Sequence, residues 1–312
     1  MSDKIFRGPR GGCYKITANG NKRYVTCPGN ISLPPETHGL PFIPLKRLRS
    51  QTTFEGYQMT TIAMMLYLAA KHTNECIPIL SEVRNINWHG CPMWDMKFQS
   101  GISWAVWYDT KTDKVLDTEL VTAKHLKKRI VDKCKNKRFI LIPIQIKNRI
   151  DNECFGHQNL VLLDRINKTA ERFEPHGTIS PYFRKTSSIN LFDDALYEFF
   201  LQLGYVYLEP TVICPIVGPQ TKQEEEHRKG KVKGKVVGFC VAWTFWYADL
   251  RMTYPDMLQQ DLISGALEAI EKSPVTLTEY IISYASYFED ITEKHINVPG
   301  WLNNIIAELT SD

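Results

Sequence analysis

The apolar positions change period along the chain, and the changes mark out its elements. Residues 57–72, YQMTTIAMMLYLAAKH, are apolar on nearly every face at helical spacing, which predicts a buried helix. FILIPIQI (139–146) and HQNLVLLDR (157–165) are continuous or alternating apolar runs of strand length, and AERFEPHG (170–177) predicts a third strand ending in a Pro-His-Gly turn. Helical spacing returns in LFDDALYEFFLQLG, closed by Gly204, and again over 240–251, with Pro255 just beyond the end. DLISGALEAIEK (261–272) and the terminal WLNNIIAEL predict amphipathic structural helices. Asp193 and Asp194 sit in a helical pattern and need no catalytic reading.

Polar segments divide these elements. YKITANGNKRYV alternates on either side of an Asn-Gly turn signal and predicts a hairpin, which defines residues 1–30 as a first unit. GNISLPPETHGLPFIPLKR is rich in Pro and Gly and makes 31–53 a linker, so the main domain spans 54–312. Within it, TKQEEEHRKGKVKGKV (221–236) has no apolar periodicity and predicts a mobile, charged surface insertion.

Composition narrows the classes. The 312 residues carry a net charge of +4, too small to argue for nucleic-acid binding from the total. The charge is uneven, however. Lys4, Arg7, Arg10, Lys15, Lys22 and Arg23 stand against Asp3 alone in the first unit, a basic surface suited to DNA or an acidic protein. The eight cysteines show no CxxC spacing, which predicts reduced thiols and a reducing compartment. The N-terminus has no signal-peptide apolar core, and no run reaches the roughly 18 apolar residues of a membrane span, so no membrane association is expected. GPRGG lacks the Lys-Ser/Thr of a phosphate loop. In NWHGCPMWDM, Trp88, His89, Cys91 and Trp94 lack a second ligand pair, so no metal is expected. The reading includes no cofactor.

The candidate chemistry starts at GFCVAWTFWYADLR, which sets Cys240 at the mouth of a helix. Unpaired N–H groups and the positive end of the helix dipole favour a thiolate there. A thiolate nucleophile needs an imidazole, a polar group to orient it and donors for an oxyanion. His157 opens a strand, and Glu174 follows 17 residues later at the end of the next one. If the two strands pair as a hairpin, the carboxylate can hold the ring. Asp164 and Asn159 are rival third members, and His176 reads as a turn or cleft-wall residue. Gln220 in VGPQ precedes the cysteine and is a candidate oxyanion donor, with Gln223 as its rival.

The order His, Glu, Gln, Cys, with the phrases GHQNLVLLDR…RFEPHG and GFCVAWTFWYADLRM, resembles the adenovirus-protease and SUMO-protease group of cysteine peptidases, in particular proteins of large nucleocytoplasmic DNA viruses. Three features differ. Gln220 lies 20 residues before the cysteine rather than about half a dozen. Phe239-Cys240-Val241 stands where the family has Asp-Cys-Gly, and Gln158 stands where Trp often follows the histidine. The N-terminal unit is similar to a short basic adaptor of large viruses.

The resemblance implies an α+β papain-like fold, with a mixed sheet packed on the helix that carries the cysteine. It implies catalysis by Cys240, His157, Glu174 and Gln220. The implied substrates are proteins, either viral structural precursors cut after Gly-Gly-like sites or ubiquitin-like conjugates. The implied location is the virion or the host cytoplasm. An acyltransferase on the same fold, or a virion scaffold protein without activity, would carry the same order of residues.

Overall fold

In the computed structural model, the described residues are 101–123, 125–132, 134–151, 153–178, 186–229 and 238–295, together with a helix at 58–72, short strands before residue 94, and residue 300. The N-terminal unit is a three-stranded antiparallel sheet of β1 (Ile5–Arg7), β2 (Cys13–Ile16) and β3 (Lys22–Val25), in which β2 and β3 pair with each other, while the Asn-Gly segment between them lies outside the described residues. Its side chains, the linker 31–53 and WLNNIIAEL lie outside the described residues, as do the expected basic contacts to DNA or an acidic partner.

The elements that follow are α1 (Gln58–Lys71), β4 (Glu75–Cys76), β5 (Ile86–Trp88), β6 (Cys91–Met93), β7 (Ile102–Asp109), β8 (Lys114–Thr122) and α2 (Leu126–Asp132). Then come β9 (Phe139–Ile150), β10 (Glu153–Asp164), β11 (Thr169–Phe173), α3 (Thr186–Leu201), β12 (Val206–Leu208) and α4 (Pro210–Ile213). The chain goes on through α5 (Pro219–Arg228), α6 (Cys240–Thr253), α7 (Gln259–Glu271) and α8 (Leu277–His295). Among the described residues β5 and β6 pair only with each other, and the side chains of Trp88, His89, Cys91 and Trp94 are outside the described residues.

The main sheet runs β12-β11-β10-β9-β7-β8, with β4 also against β9. β10 is antiparallel to β9 and β11, whereas β9 is parallel to β7 and β4, and β11 is parallel to β12. The architecture is therefore mixed α+β. FILIPIQI is apolar at every position but Gln145 because both faces of the sheet are covered. Phe139 and Leu141 face the layer of α1, α6, α7 and α8, while Ile140, Ile142, Ile144 and Ile146 face the layer of α2 and α3. Every residue of α6 except Thr253 is buried, which accounts for a helix apolar all round.

Two expectations are corrected. The charged stretch 221–236 is not a loop over its first half, because Pro219–Arg228 forms α5. Proline at its first turn starts the helix, and beyond that Pro219 the face it buries is made of Gln220 and Gln223, so hydropathy carries little trace of it. Residues 230–237 are outside the described residues. The cysteines are not all reduced either. Cys134 and Cys154 are disulfide-bonded, and Cys214 and Cys240 are free. Folding brings together cysteines that sequence spacing does not pair, so the thiol count no longer supports a reducing compartment. Among the described residues, no helix is long and apolar enough to cross a membrane.

Candidate active site

β10 begins four residues before His157, and His157 is its first buried position. The strand pairs with β11 in the register Leu160↔Phe173, which sets Asn159 and His157 beside the segment just past Phe173. Glu174 starts the turn there. His157 Nε2 lies 2.7 Å from Glu174 Oε1, and both side chains are buried. The backbone N–H of His176 donates to the same oxygen at 3.0 Å, and Asn159 Nδ2 donates to Oε2 at 2.9 Å. Asn159 Oδ1 in turn accepts from Arg172 at 2.7 Å. Arg172 is fully buried, is clamped by Asp193 through two nitrogens at 3.0 Å each, and donates to the Tyr207 hydroxyl.

Burial penalises both charged partners, but each also stabilises the other. Desolvation lowers the affinity of His157 for its proton, yet the Glu174 carboxylate and a hydrogen bond with the Cys240 side chain outweigh it and push its pKa up to about 10. Desolvation acts against the Glu174 carboxylate in the same way. His157, His176 and their hydrogen bonds prevail and bring its pKa down to about 2. His176, with its ring centroid 5.2 Å from that of His157, behaves oppositely. Burial, opposed by Glu174 and reinforced by His157, lowers its pKa to about 4, so it is neutral at ordinary pH.

Cys240 is the first residue of α6 and only 8% exposed. Phe239 at the N-cap gives no side-chain cap, and Gly238 before it has a φ of +89°, which glycine adopts without strain. The first-turn N–H groups are thus left for the thiolate or for a developing oxyanion. Because Glu174 holds Nε2, the ring has Nδ1 to offer the sulfur. His157 thus links two residues remote from it in sequence, bonded to Glu174 and interacting with the Cys240 side chain.

The two glutamines differ. Gln223 Oε1 accepts from the Trp243 indole at 2.7 Å, which commits it to the core contact between α5 and α6. Gln220 is 4% exposed, its backbone N–H donates to Pro175 O at 3.0 Å, and its Nε2 meets Glu224 Oε1 at 3.4 Å. Its Oε1 is buried without a hydrogen-bond partner among the described residues. The start of α5 is moored to the turn after Glu174 through Gly218 N–H to His176 O at 2.8 Å. A Cβ on Gly218 or on Gly177 would lie 2.3–2.6 Å from backbone atoms of the other segment, so both positions require glycine.

Asp164, the other rival acid, sits at the far end of β10. It accepts from Arg138, Asn167 and the N–H of Ile166 and is remote from His157. Ligand atoms of His157, Glu174 and His176 lie within 4.8 Å of one another and could hold a cation. A metal there would have to displace the proton that His157 and Glu174 share.

No family model matches the chain. A putative ankyrin repeat protein, L371 of Acanthamoeba polyphaga mimivirus, is 28% identical over 181 residues, which cover 54% of this chain and 23% of the mimiviral protein. The chain thus spans less than a quarter of that relative. Among solved structures, the Legionella pneumophila effector protein RavZ matches at a TM-score of 0.26 and 12% identity, covering 85% of this chain and 83% of the other. A second structure of the same effector gives 0.27 at 12% identity, covering 78% and 74%. Likeness at this level carries no argument.

The site also contains residues that sequence patterning passed over. Arg172, Asp193 and Tyr207 extend the Glu174–Asn159 chain across the sheet into α3 and β12. The one signal for them in the sequence is the adjacent pair Glu171 and Arg172 inside a short strand, since a buried guanidinium needs a partner.

Proposed function

We propose that this chain is a cysteine peptidase of papain-like type, with Cys240 as nucleophile, His157 as acid and base, Glu174 as the residue that orients the ring, and Gln220 as an oxyanion donor. The observation that carries this reading is the buried His157–Glu174 pair in contact with the thiol at the start of α6. The imidazolium balances a thiolate, and the helix terminus adds to it. The thiolate attacks a peptide or isopeptide carbonyl and forms the C–S bond, while the carbonyl oxygen becomes an oxyanion held by first-turn N–H groups and Gln220. The C–N bond then breaks, and His157 gives its proton to the leaving amine. Water, deprotonated by the same ring, hydrolyses the thioester and restores the thiol.

The 8% exposure of Cys240 favours a small residue on the acyl side, in keeping with Gly-Gly-like cleavage of viral precursors or ubiquitin-like conjugates. The likeness to a mimiviral protein fits a viral setting. The test is iodoacetamide alkylation across pH, read by intact mass, in wild type, Cys240→Ala and His157→Ala, with a Gly-Gly-terminated ubiquitin-like electrophile as second probe. Selective labelling of Cys240 below pH 8 that requires His157 is expected. Slow, uniform labelling of accessible cysteines would sink the peptidase and leave a scaffold role.

A further inference from the structure

The end of the sheet away from His157 carries a surface that the chemistry at Cys240 does not use. β10 ends at Asp164, about 23 Å beyond His157 for a strand's rise per residue, and turns back into β11 through residues 165–168. The turn is built rigidly. Buried Asp164 accepts from the N–H groups of Ile166 and Asn167 at 2.9 and 3.2 Å, from Asn167 Nδ2 at 2.8 Å and from Arg138 at 3.2 Å. The residue held at its tip is nevertheless Ile166, 68% exposed. α2 lies against the turn, since Arg165 donates to Ile130 O at 3.4 Å. α2 buries Leu126 and Ile130 and leaves Lys128 and Val131 outward, with Val131 54% exposed. Two exposed aliphatic side chains therefore stand on touching segments, each one residue past the bond that joins them.

Lysines surround this pair. Lys128 on α2, Lys135 and Lys137 in the segment before β9, and Lys168 in the turn are all exposed, and the Arg165 N–H donates to Arg138 O at 2.9 Å, which brings the second of these segments to the turn. The carboxylates of residues 125–138 and 164–168 are Asp132, exposed on α2, and Asp164, which is taken up by Arg138 and the turn. Arg138 also pairs with Asp256. The patch is thus strongly positive in a chain whose net charge is only +4. Nucleic acid would need the lysines alone, and the rings of Phe199 and Tyr205 are buried beneath Lys127 and Lys168 rather than offered for base stacking. Exposed aliphatic side chains among lysines match instead the interface of an anionic bilayer, where apolar groups enter the acyl boundary and ammonium groups meet the headgroups. We propose that the turn 165–168 and the outer face of α2 form a docking surface for an anionic lipid bilayer. Such contact needs no membrane-spanning helix, and it leaves the Cys240 end of the sheet open to solution. It does not depend on the peptidase reading.

The experiment is cosedimentation of the full chain with phosphatidylserine–phosphatidylcholine vesicles, with pure phosphatidylcholine vesicles and a short DNA duplex as comparisons. Wild type is expected to bind the anionic vesicles, less at high salt, and the neutral ones at least about tenfold more weakly. Ile166→Asp and the double variant Lys128→Glu/Lys135→Glu should each lower the partition coefficient by about tenfold or more, while Ile166→Leu keeps it. All three should melt at the temperature of wild type, because the altered side chains are exposed. Failure of wild type to bind anionic vesicles overturns the proposal. So does binding that Ile166→Asp and the double variant both retain, which would move the lipid contact elsewhere, to the basic N-terminal unit first. DNA binding without vesicle binding, weakened in the double variant and unchanged in Ile166→Asp, would assign the patch to nucleic acid and overturn the bilayer.

Discussion

Glu174 has both oxygens engaged, one by His157 and the N–H of His176 and the other by Asn159, so its substitution has a defined result. In Glu174→Gln the carboxylate charge is gone and burial acts on His157 with less opposition. The ring's pKa should fall from about 10 towards or below the ordinary value, visible as a shifted ring titration by NMR, and peptidase kcat should drop at least about 100-fold. A ring that still titrates near its former pH would contradict the pairing. Arg172→Met tests the extension of that network. It leaves Asn159 Oδ1 without its donor and Asp193 with the Tyr207 hydroxyl alone, and should destabilise the protein by about 3 kcal/mol in urea unfolding, as breakage of a buried pair does.

At the scale of elements, α5 is fastened at both ends. Its start is moored by Gly218 to the turn that bears Glu174 and His176, and further along Glu226 accepts from the backbone N–H groups of Leu277 and Thr278 at the head of α8. Gly218→Ala should cost about 2–3 kcal/mol through the clash of its Cβ with the Pro175–Gly177 backbone, and it should impair turnover more than Glu226→Ala, which loses a helix cap worth about 1 kcal/mol. Thermal melts and turnover of the two variants separate these effects. The same helix shows where sequence reading stops. The strands at 139 and 157 and helix α6 were legible because apolar faces betray period and length, and His157 and Glu174 could be paired because one short turn joins their strands. α5 was not, because its inward face is two glutamines. The parallel neighbour β7 was not either, since its partner β9 lies far along the chain and no local turn relates them.

For the whole molecule, the buried ionisable groups set the pH range of folding. His157 binds its proton more tightly folded than unfolded, so its contribution is complete below the unfolded value of 6.5 and is lost as pH rises through about 10. Glu174 contributes fully above 4.5 and less as pH falls towards about 2, and His176, with its pKa lowered to about 4, destabilises the fold in acid below 6.5. Stability by chemical denaturation should therefore decline on the acid side below about pH 6.5, and His176→Gln should soften that decline. An unchanged acid limb in that variant would remove His176 from the account. One feature of β11 bears on how the whole chain finds its fold. Glu171 bonds Arg251 of α6 on one side of the sheet at 3.0 Å, and the next residue, Arg172, bonds Asp193 of α3 on the other. Were β11 to dock one residue out of step, every side chain would change sides, bringing Arg172 against Arg251 and Glu171 against Asp193. Both layers would then reject the strand at once, so this pair of adjacent opposite charges acts as a parity check on assembly.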